Sequence, residues 1–341
     1  MKYLSYILPF FLIVFMSACH SFASRGNQSV SKSFTAEANG ILQMDVDPGN
    51  IKIKTWDKNE VTIDAHGLFQ KEVERLHLSQ DASTVKVIFN GKNNRYSDVD
   101  FEIYIPENFN LDIKTTGGNT ELQTELTGDV RIESGGGNVE LAEITGDVTL
   151  STGGGNITTE IIYGNLELET GGGNCTIGDV TRDVSVITGG GNLSVGKVAG
   201  KVTLETGGGN IDLRGGSDIV SVESGGGNID LEGLVGAAKV QTGGGTVCVE
   251  INPGAEKNST IESGCGDITL IIPEDAKANI EARLLGAGDW KQDGIRSDFT
   301  SAHYDENDDG DVSAMYVLNG GGKNISLRTS AGVIEIRKKK K

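Results

Sequence analysis

Cysteine, histidine, aromatic and basic residues are all scarce in this chain, and each shortage closes a route. Of the four cysteines, three lie beyond Cys19, at Cys175, Cys248 and Cys265, and an odd number at unrelated places makes no disulfide framework. Histidines stand at His20, His66, His77 and His303, none near a cysteine at ligand spacing, which excludes a zinc centre of the usual pattern. Serine and threonine are abundant, yet nothing resembles a nucleophile elbow or a base oriented by a carboxylate. Aromatics make up 6% of the chain, too few for one thick globular core. Lysine and arginine number 30 against 48 acidic residues, a net charge of −18. That balance argues against nucleic acid as a partner and for a self-repelling surface.

Glycine is plentiful, with 49 residues and no collagen period. Much of it sits in a repeated GGGN, whose asparagines are Asn138, Asn156, Asn174, Asn192, Asn210 and Asn228, always 18 residues apart. A shorter variant ends at Asn119, and a degenerate copy has Thr246 in the asparagine place. A period in this range signals stacked repeats, none of which can bury its apolar face alone.

Counted from each asparagine as zero, apolar residues fall at −8 (Val130, Val148, Leu166), −6 (Ile132, Leu150, Leu168), +1 (Val139, Ile157, Cys175) and +3 (Leu141, Ile177, Val195), with a looser column at +6. The spacing of two within each arm is that of a half-buried strand, and no stripe recurs at the helical interval. Each unit therefore reads as strand, glycine turn, strand and a second turn at pairs such as Gly128-Asp129 and Gly146-Asp147. Parallel coils or a meander of antiparallel hairpins both satisfy this pattern. Columns of like residues at one interval favour parallel coils, with asparagines stacked as amide ladders and glycines at bends a β-carbon would oppose. The expected fold is all-β: a parallel β-solenoid, right-handed by the general chirality preference, of ~18-residue coils with irregular β caps. Strands about 4.8 Å apart would make eight coils a rod of roughly 40 Å. Cys175 occupies an apolar column and reads as a small core residue.

The termini differ. Lys2 and the apolar residues 3–15 form a secretory signal too short for a dependable membrane span. Met16-Ser17-Ala18 before Cys19 resembles a bacterial lipobox, which implies cleavage and lipidation at Cys19; the absence of aspartate after it favours the outer membrane. The expected organisation is a signal peptide at 1–18, a lipidated terminus and tether at 19–30, an N-terminal β region at 31–110, the GGGN solenoid at 111–272, and a C-terminal β region at 273–341. Phe69–Leu76 is compatible with a short helix or a charged loop. Leu42, Met44, Asn50, Ile51 and Ile53 continue the repeat offsets, and Gly320-Gly321-Gly322-Lys323-Asn324 resembles one more GGGN bend with an inserted lysine. The basic run Arg337–Lys341 reads as a solvated end or a contact for anionic lipid or glycan.

The opening Val46-Asp47-Pro48-Gly49-Asn50-Ile51-Lys52-Ile53, the central TGGGN coils and the closing NGGGKNISL segment are similar to the DUF4097 family, whose members carry an adhesin label. Head-GIN-domain proteins are similar in a weaker way. The resemblance covers residues 31–337 and implies a β-solenoid exported to the cell envelope; it carries over no catalytic residues.

Chemistry is hard to find. GGGN before a strand lacks the helix and Gly-Lys-Ser/Thr of a phosphate loop. Asp305, Asn307, Asp309 and Gly310 match the start of a calcium loop, but Tyr316 stands where an EF-hand needs a bidentate glutamate. A calcium site and a solvated acidic loop are both open there. No other cofactor is implied. Outward columns hold acids such as Glu133, Glu169, Glu205 and Glu223 at −5, and Asp212, Asp230 and Glu160 beyond the bend. They are spread along the rod rather than gathered in a pocket. The expected function is therefore a non-enzymatic, lipid-anchored envelope protein whose acidic surface serves adhesion or contact with envelope protein or glycan. The alternative is a carbohydrate-active β-helix enzyme, a polysaccharide lyase or hydrolase.

Overall fold

A computed structural model describes residues 28–37, 39–91, 99–254, 256–285, 294–307 and 310–340. The signal segment, Cys19, Trp290 and Asp309 lie outside the described residues. The chain winds into parallel coils, and equivalent residues of successive units are hydrogen-bonded neighbours. Val130 pairs with Val148, Val148 with Leu166, Leu166 with Val184 and Val184 with Val202. The hairpin meander is thereby excluded.

Each coil contributes to three walls. Strands before the glycine bend, such as Val148–Thr152 and Leu166–Thr170, stack into a leading wall. Strands after it, such as Ile157–Thr159 and Cys175–Ile177, stack into a trailing wall. The pairs Leu126–Thr127, Ile144–Thr145 and Ile162–Tyr163 begin a third wall. Farther along, Ile211–Ser224 and Ile229–Thr242 run unbroken through all three. The −8, −6, +1 and +3 columns point inward and merge into one contiguous core. Cys175 lies within it at 1% exposure, and burial pushes its thiol up to about 11.

Three polar ladders hold the coils in register. In the first, each GGGN asparagine accepts, through Oδ1, the backbone N–H of the asparagine one coil on, from Asn119 to Asn138 (3.0 Å), through Asn156 to Asn174 (3.0 Å), and finally from Asn228 to Thr246 (3.0 Å). The amides thus cap backbone donors of the next coil instead of pairing amide to amide. A second ladder runs through the other turn, where Asp129 Oδ1 accepts from Asp147 N–H (2.9 Å) and Asp147 Oδ1 from Asn165 N–H (2.8 Å). The third is a buried hydroxyl column just before the bend. Thr152 Oγ1 donates to the Gly154 carbonyl (3.0 Å) and accepts from its N–H (3.3 Å), and Thr170 repeats this with Gly172.

The asparagine ladder makes a prediction. Replacing Asn174 with alanine leaves the Asn192 N–H, which Asn174 accepts at 3.0 Å, to water and should cost about 0.5–1.5 kcal/mol, whereas aspartate keeps the acceptor and should cost less. Urea unfolding of Asn174→Ala and Asn174→Asp checks the order.

The caps depart from simple continuation. Gly40–Val46 lies between Thr84–Phe89 and Phe109–Thr115, and Asn50–Trp56 between Asp100–Pro106 and Thr120–Leu122. The first coil of the chain is therefore stacked second. The last is placed likewise: Lys323–Thr329 lies between Ser259–Ser263 and Ala278–Leu284, and Ile334–Lys338 between Ile268–Ile272 and Ile295–Ser297. One expectation is corrected here. Ile325 and Leu327 pair with Ser259 and Ile261 and so belong to the strand before a bend, not after it. Gly320–Gly322 instead links Val312–Leu318 to Lys323–Thr329, which flank Ala278–Leu284. The bend of that coil is Ser330-Ala331-Gly332, and Thr329 Oγ1 donates to Gly266 O across it (2.8 Å).

At the N-terminal end Phe89 and Phe101 meet edge to face at 5.9 Å and, with Phe109, fill the core where the coils stop. Gln28–Thr35 pairs antiparallel with Glu60–Leu68 as an edge strand. Within Phe69–Leu76 a single helical turn forms at Gln70–Val73, closed by Glu72 accepting from the Phe69 N–H at 2.8 Å.

Candidate functional site

Strand alternation sends every second side chain of each wall outward, and parallel register stacks those side chains coil on coil. On the leading wall Glu133, Ser151, Glu169, Ile187, Glu205, Glu223 and Gln241 are successive neighbours. Where this row passes Thr149 and Ser151, short side chains leave a concavity of about 550 Å³. Lys114, Arg131 and Glu133 rim one side and Glu167 and Glu169 the other.

The two rims differ electrically. Glu133 accepts from Arg131 at 2.5 Å and from Lys114 at 3.1 Å. The Arg131 hydrogen bond, then the Lys114 one, holds its carboxyl below the usual range, so it stays ionised and is a poor general acid. Glu167 and Glu169 are exposed, with no ion pair among the described residues. A cationic group could therefore seat against that rim at little desolvation cost, whereas acid catalysis there would need a carboxyl held protonated.

A second concavity, about 510 Å³, lies on the third wall among Thr55, Gln123, Thr124, Glu125, Thr127, Glu107, Glu143 and Glu160. Its rim is pinned by Thr124, whose Oγ1 accepts from the Thr55 N–H at 2.6 Å.

On the trailing wall Asp212, Asp230 and Cys248 are neighbours. Partial burial first, then the Glu232 and Asp212 charges, raise the Asp230 carboxyl above its ordinary value. A raised folded-state pKa contributes stability below the unfolded value of 3.8, and that contribution is lost as pH rises through the folded one. Asp230 should therefore titrate above 3.8, and Asp212→Asn should lower its midpoint; carboxyl-carbon NMR titration reads both.

The basic tail folds back on the acids. Lys339 pairs with Glu250 (2.8 Å), Lys338 with Glu274 (2.8 Å) and Arg337 with Glu335 (2.5 Å). Such exposed pairs are each worth about 0–1 kcal/mol, so the tail remains displaceable by a stronger anion.

The residues singled out from sequence separate cleanly. Asn119 to Asn228 come together in one ladder. Asp305 sits on the edge strand His303–Glu306 and Asn307 in the turn to Val312–Leu318. There Asn307 Oδ1 accepts the Asp311 N–H at 2.8 Å and Gly310 has φ 84°, as a tight hairpin requires. Among the described residues no group of three His, Cys, Asp or Glu is disposed to hold a metal ion. Two features escaped sequence reading: the Asp129–Asp147–Asn165 ladder, signalled only by turn pairs, and an aromatic pair, Trp56 and Tyr104, joined by the register of distant strands.

The model of the Toastrack DUF4097 family matches residues 35–337. The chain belongs to this family. Solved structures similar to this Toastrack chain include putative adhesins from Parabacteroides distasonis (TM-score 0.36, 11% identity, 92% of this chain and 97% of that one) and Bacteroides fragilis (0.29, 12%, 92% and 99%). A putative cell adhesion protein from Clostridium sporogenes gives 0.20, 9%, 92% and 100%. No curated protein matches the chain.

Proposed function

We propose that this Toastrack protein is a non-enzymatic lipoprotein of the bacterial cell envelope, anchored through Cys19 at the outer membrane. Its solenoid presents carboxylate-rich outer faces to an envelope protein or glycan. The observation that carries the reading is register: Glu205 and Glu223 are direct neighbours, as are Asp212 and Asp230. Like charges so placed oppose folding, and a binding partner bearing cations would relieve that repulsion. The signal-like residues 1–18 and the small residues before Cys19 support export and lipidation.

Fluorescently labelled protein should bind isolated envelopes without turnover of added polysaccharide. Single Glu→Gln changes at Glu167, Glu169, Glu205 or Glu223 should each weaken binding less than about threefold, and the quadruple variant should lose it. Loss concentrated in one carboxylate, with glycan cleavage, would establish the enzyme instead. Incorporation of labelled palmitate, absent in Cys19→Ser, tests the anchor.

A further inference from the structure

Outward positions of the trailing wall are short and polar at Thr158, Thr176 and Ser194 and acidic at Glu140, Asp212 and Asp230. At the N-terminal cap the same wall carries two aromatics. Trp56 and Tyr104 stack with ring centroids 5.1 Å apart and planes at 29°. They alternate with the buried Ile53 and Ile103, so neither ring belongs to the core. The indole N–H donates to the Glu60 carbonyl at 2.7 Å, which fixes the ring plane.

We propose that this aromatic pair is the platform of a binding site for an uncharged oligosaccharide. A pyranose presents an apolar C–H face ringed by hydroxyls, and the site offers matching halves. The outer face of the Trp56 indole supplies the apolar floor, since its inner face is stacked on Tyr104, whose ring also has Lys54 Nζ 5.6 Å from its centroid. At the edge of the stacked rings Glu102 accepts from Lys54 Nζ (3.1 Å) and Tyr104 Oη (2.9 Å), leaving a carboxylate acceptor and an ammonium donor whose charges cancel. Lys54 first, then Tyr104, hold Glu102 below the usual carboxylate range, so it is an acceptor at neutral pH. A neutral sugar fits this balanced pair better than a uronate.

The 510 Å³ concavity is a separate hollow: neither ring lines it, and Glu107, Glu125, Glu143 and Glu160 do. Lys58 is the present occupant of the outer indole face, its Nζ 4.2 Å from the centroid. It is an exposed, flexible side chain that a sugar ring can displace. This site is separate from the carboxylate row of the leading wall, and either can fail without the other.

The test uses the full-length protein in detergent with Trp290→Phe, which leaves Trp56 as the one indole of the two in the chain. Cellohexaose and chitohexaose are titrated against its fluorescence, with tetramethylammonium chloride as a cation probe. A saturable change with either hexasaccharide is expected, weakened about tenfold or more by Tyr104→Ala. It should be unaltered by Lys201→Gln, an exposed turn side chain of a distant coil. Saturation-transfer NMR on Trp56→Phe, which keeps an aromatic floor, should retain contacts to sugar C–H protons. No saturable change up to ~10 mM of either sugar, or a response to tetramethylammonium alone, overturns the proposal.

Discussion

Replacing Gly155 with alanine should destabilise the solenoid by about 3 kcal/mol or more, while the same change at its neighbour Gly154 should stay within about 0.5 kcal/mol. Both are glycines of one GGGN bend, and they differ in what surrounds them. Gly155 has φ +113°, a conformation that L side chains rarely adopt, and its added Cβ would lie on the Gly137 carbonyl oxygen of the preceding coil. That oxygen is backbone, fixed by the stack, so neither partner can yield cheaply. The first glycine of the bend, Gly153, is also crowded, its Cβ falling 2.6 Å from Gly135 O. The middle one is not. A Cβ on Gly154 would find only Gly172 O, at 3.9 Å. The chain already tolerates larger residues in that place, since Cys265 and Ala331 hold the middle position of bends near the C-terminal cap. Urea unfolding followed by circular dichroism, with hydrogen exchange to localise the damage, gives the contrast. Equal destabilisation by the two substitutions would contradict the stacking of the bends.

That difference was only half legible in the letters. Three consecutive glycines announced a bend that no β-carbon suits, but sequence cannot say which of the three meets the neighbouring coil. The closing Gly320-Gly321-Gly322 shows the limit. It has the same letters, yet Asn319, Gly320 and Gly321 have φ of 52°, 87° and 83°, a run of left-handed residues that carries the chain across an intervening strand. In the stacked bend only the last glycine, such as Gly155, falls in the positive region. The inserted Lys323 was the available hint, and hydrophobic periodicity could not decode it, because Ile325 and Leu327 alternate identically on either side of a bend.

Period and inward columns were legible because they are local: a strand buries alternate residues whichever coil lies beside it. Stacking order at the caps was not, because Leu42 and Met44 would bury equally well at the end of the rod or one coil in. Those residues are fully buried with coils on both sides. Of the candidate sites, the carboxylate row followed from the 18-residue interval. The Trp56–Tyr104 stack did not, since the register that opposes Lys54 to Tyr104 is set by a tertiary pairing of the cap strands.

Ending the chain at Leu318 should undo more than the two strands it removes. The missing coil is an inner layer: it contacts Ser259–Ser263 and Ile268–Ile272 on one side and Ala278–Leu284 and Ile295–Ser297 on the other. Four of its side chains, Ile325, Leu327, Ile334 and Ile336, are 0–1% exposed. At about 1.5–3 kcal/mol each, their burial is comparable with the whole stability of a typical domain, about 5–15 kcal/mol. Without them the cap strands from Ala278 onward lose the surface on which they dock. Coils touch only their neighbours, so the damage should stop where the stack remains intact. Limited proteolysis should cut the truncated protein beyond Ile272 and spare the coils from Val130 to Thr242. Removing Gln28–Thr35, an outer strand whose one strand partner among the described residues is Glu60–Leu68, should by contrast leave both ends of the rod protected. Cap strands that resist protease equally with and without the last coil would show that the C-terminal segment is not an inner layer of the stack.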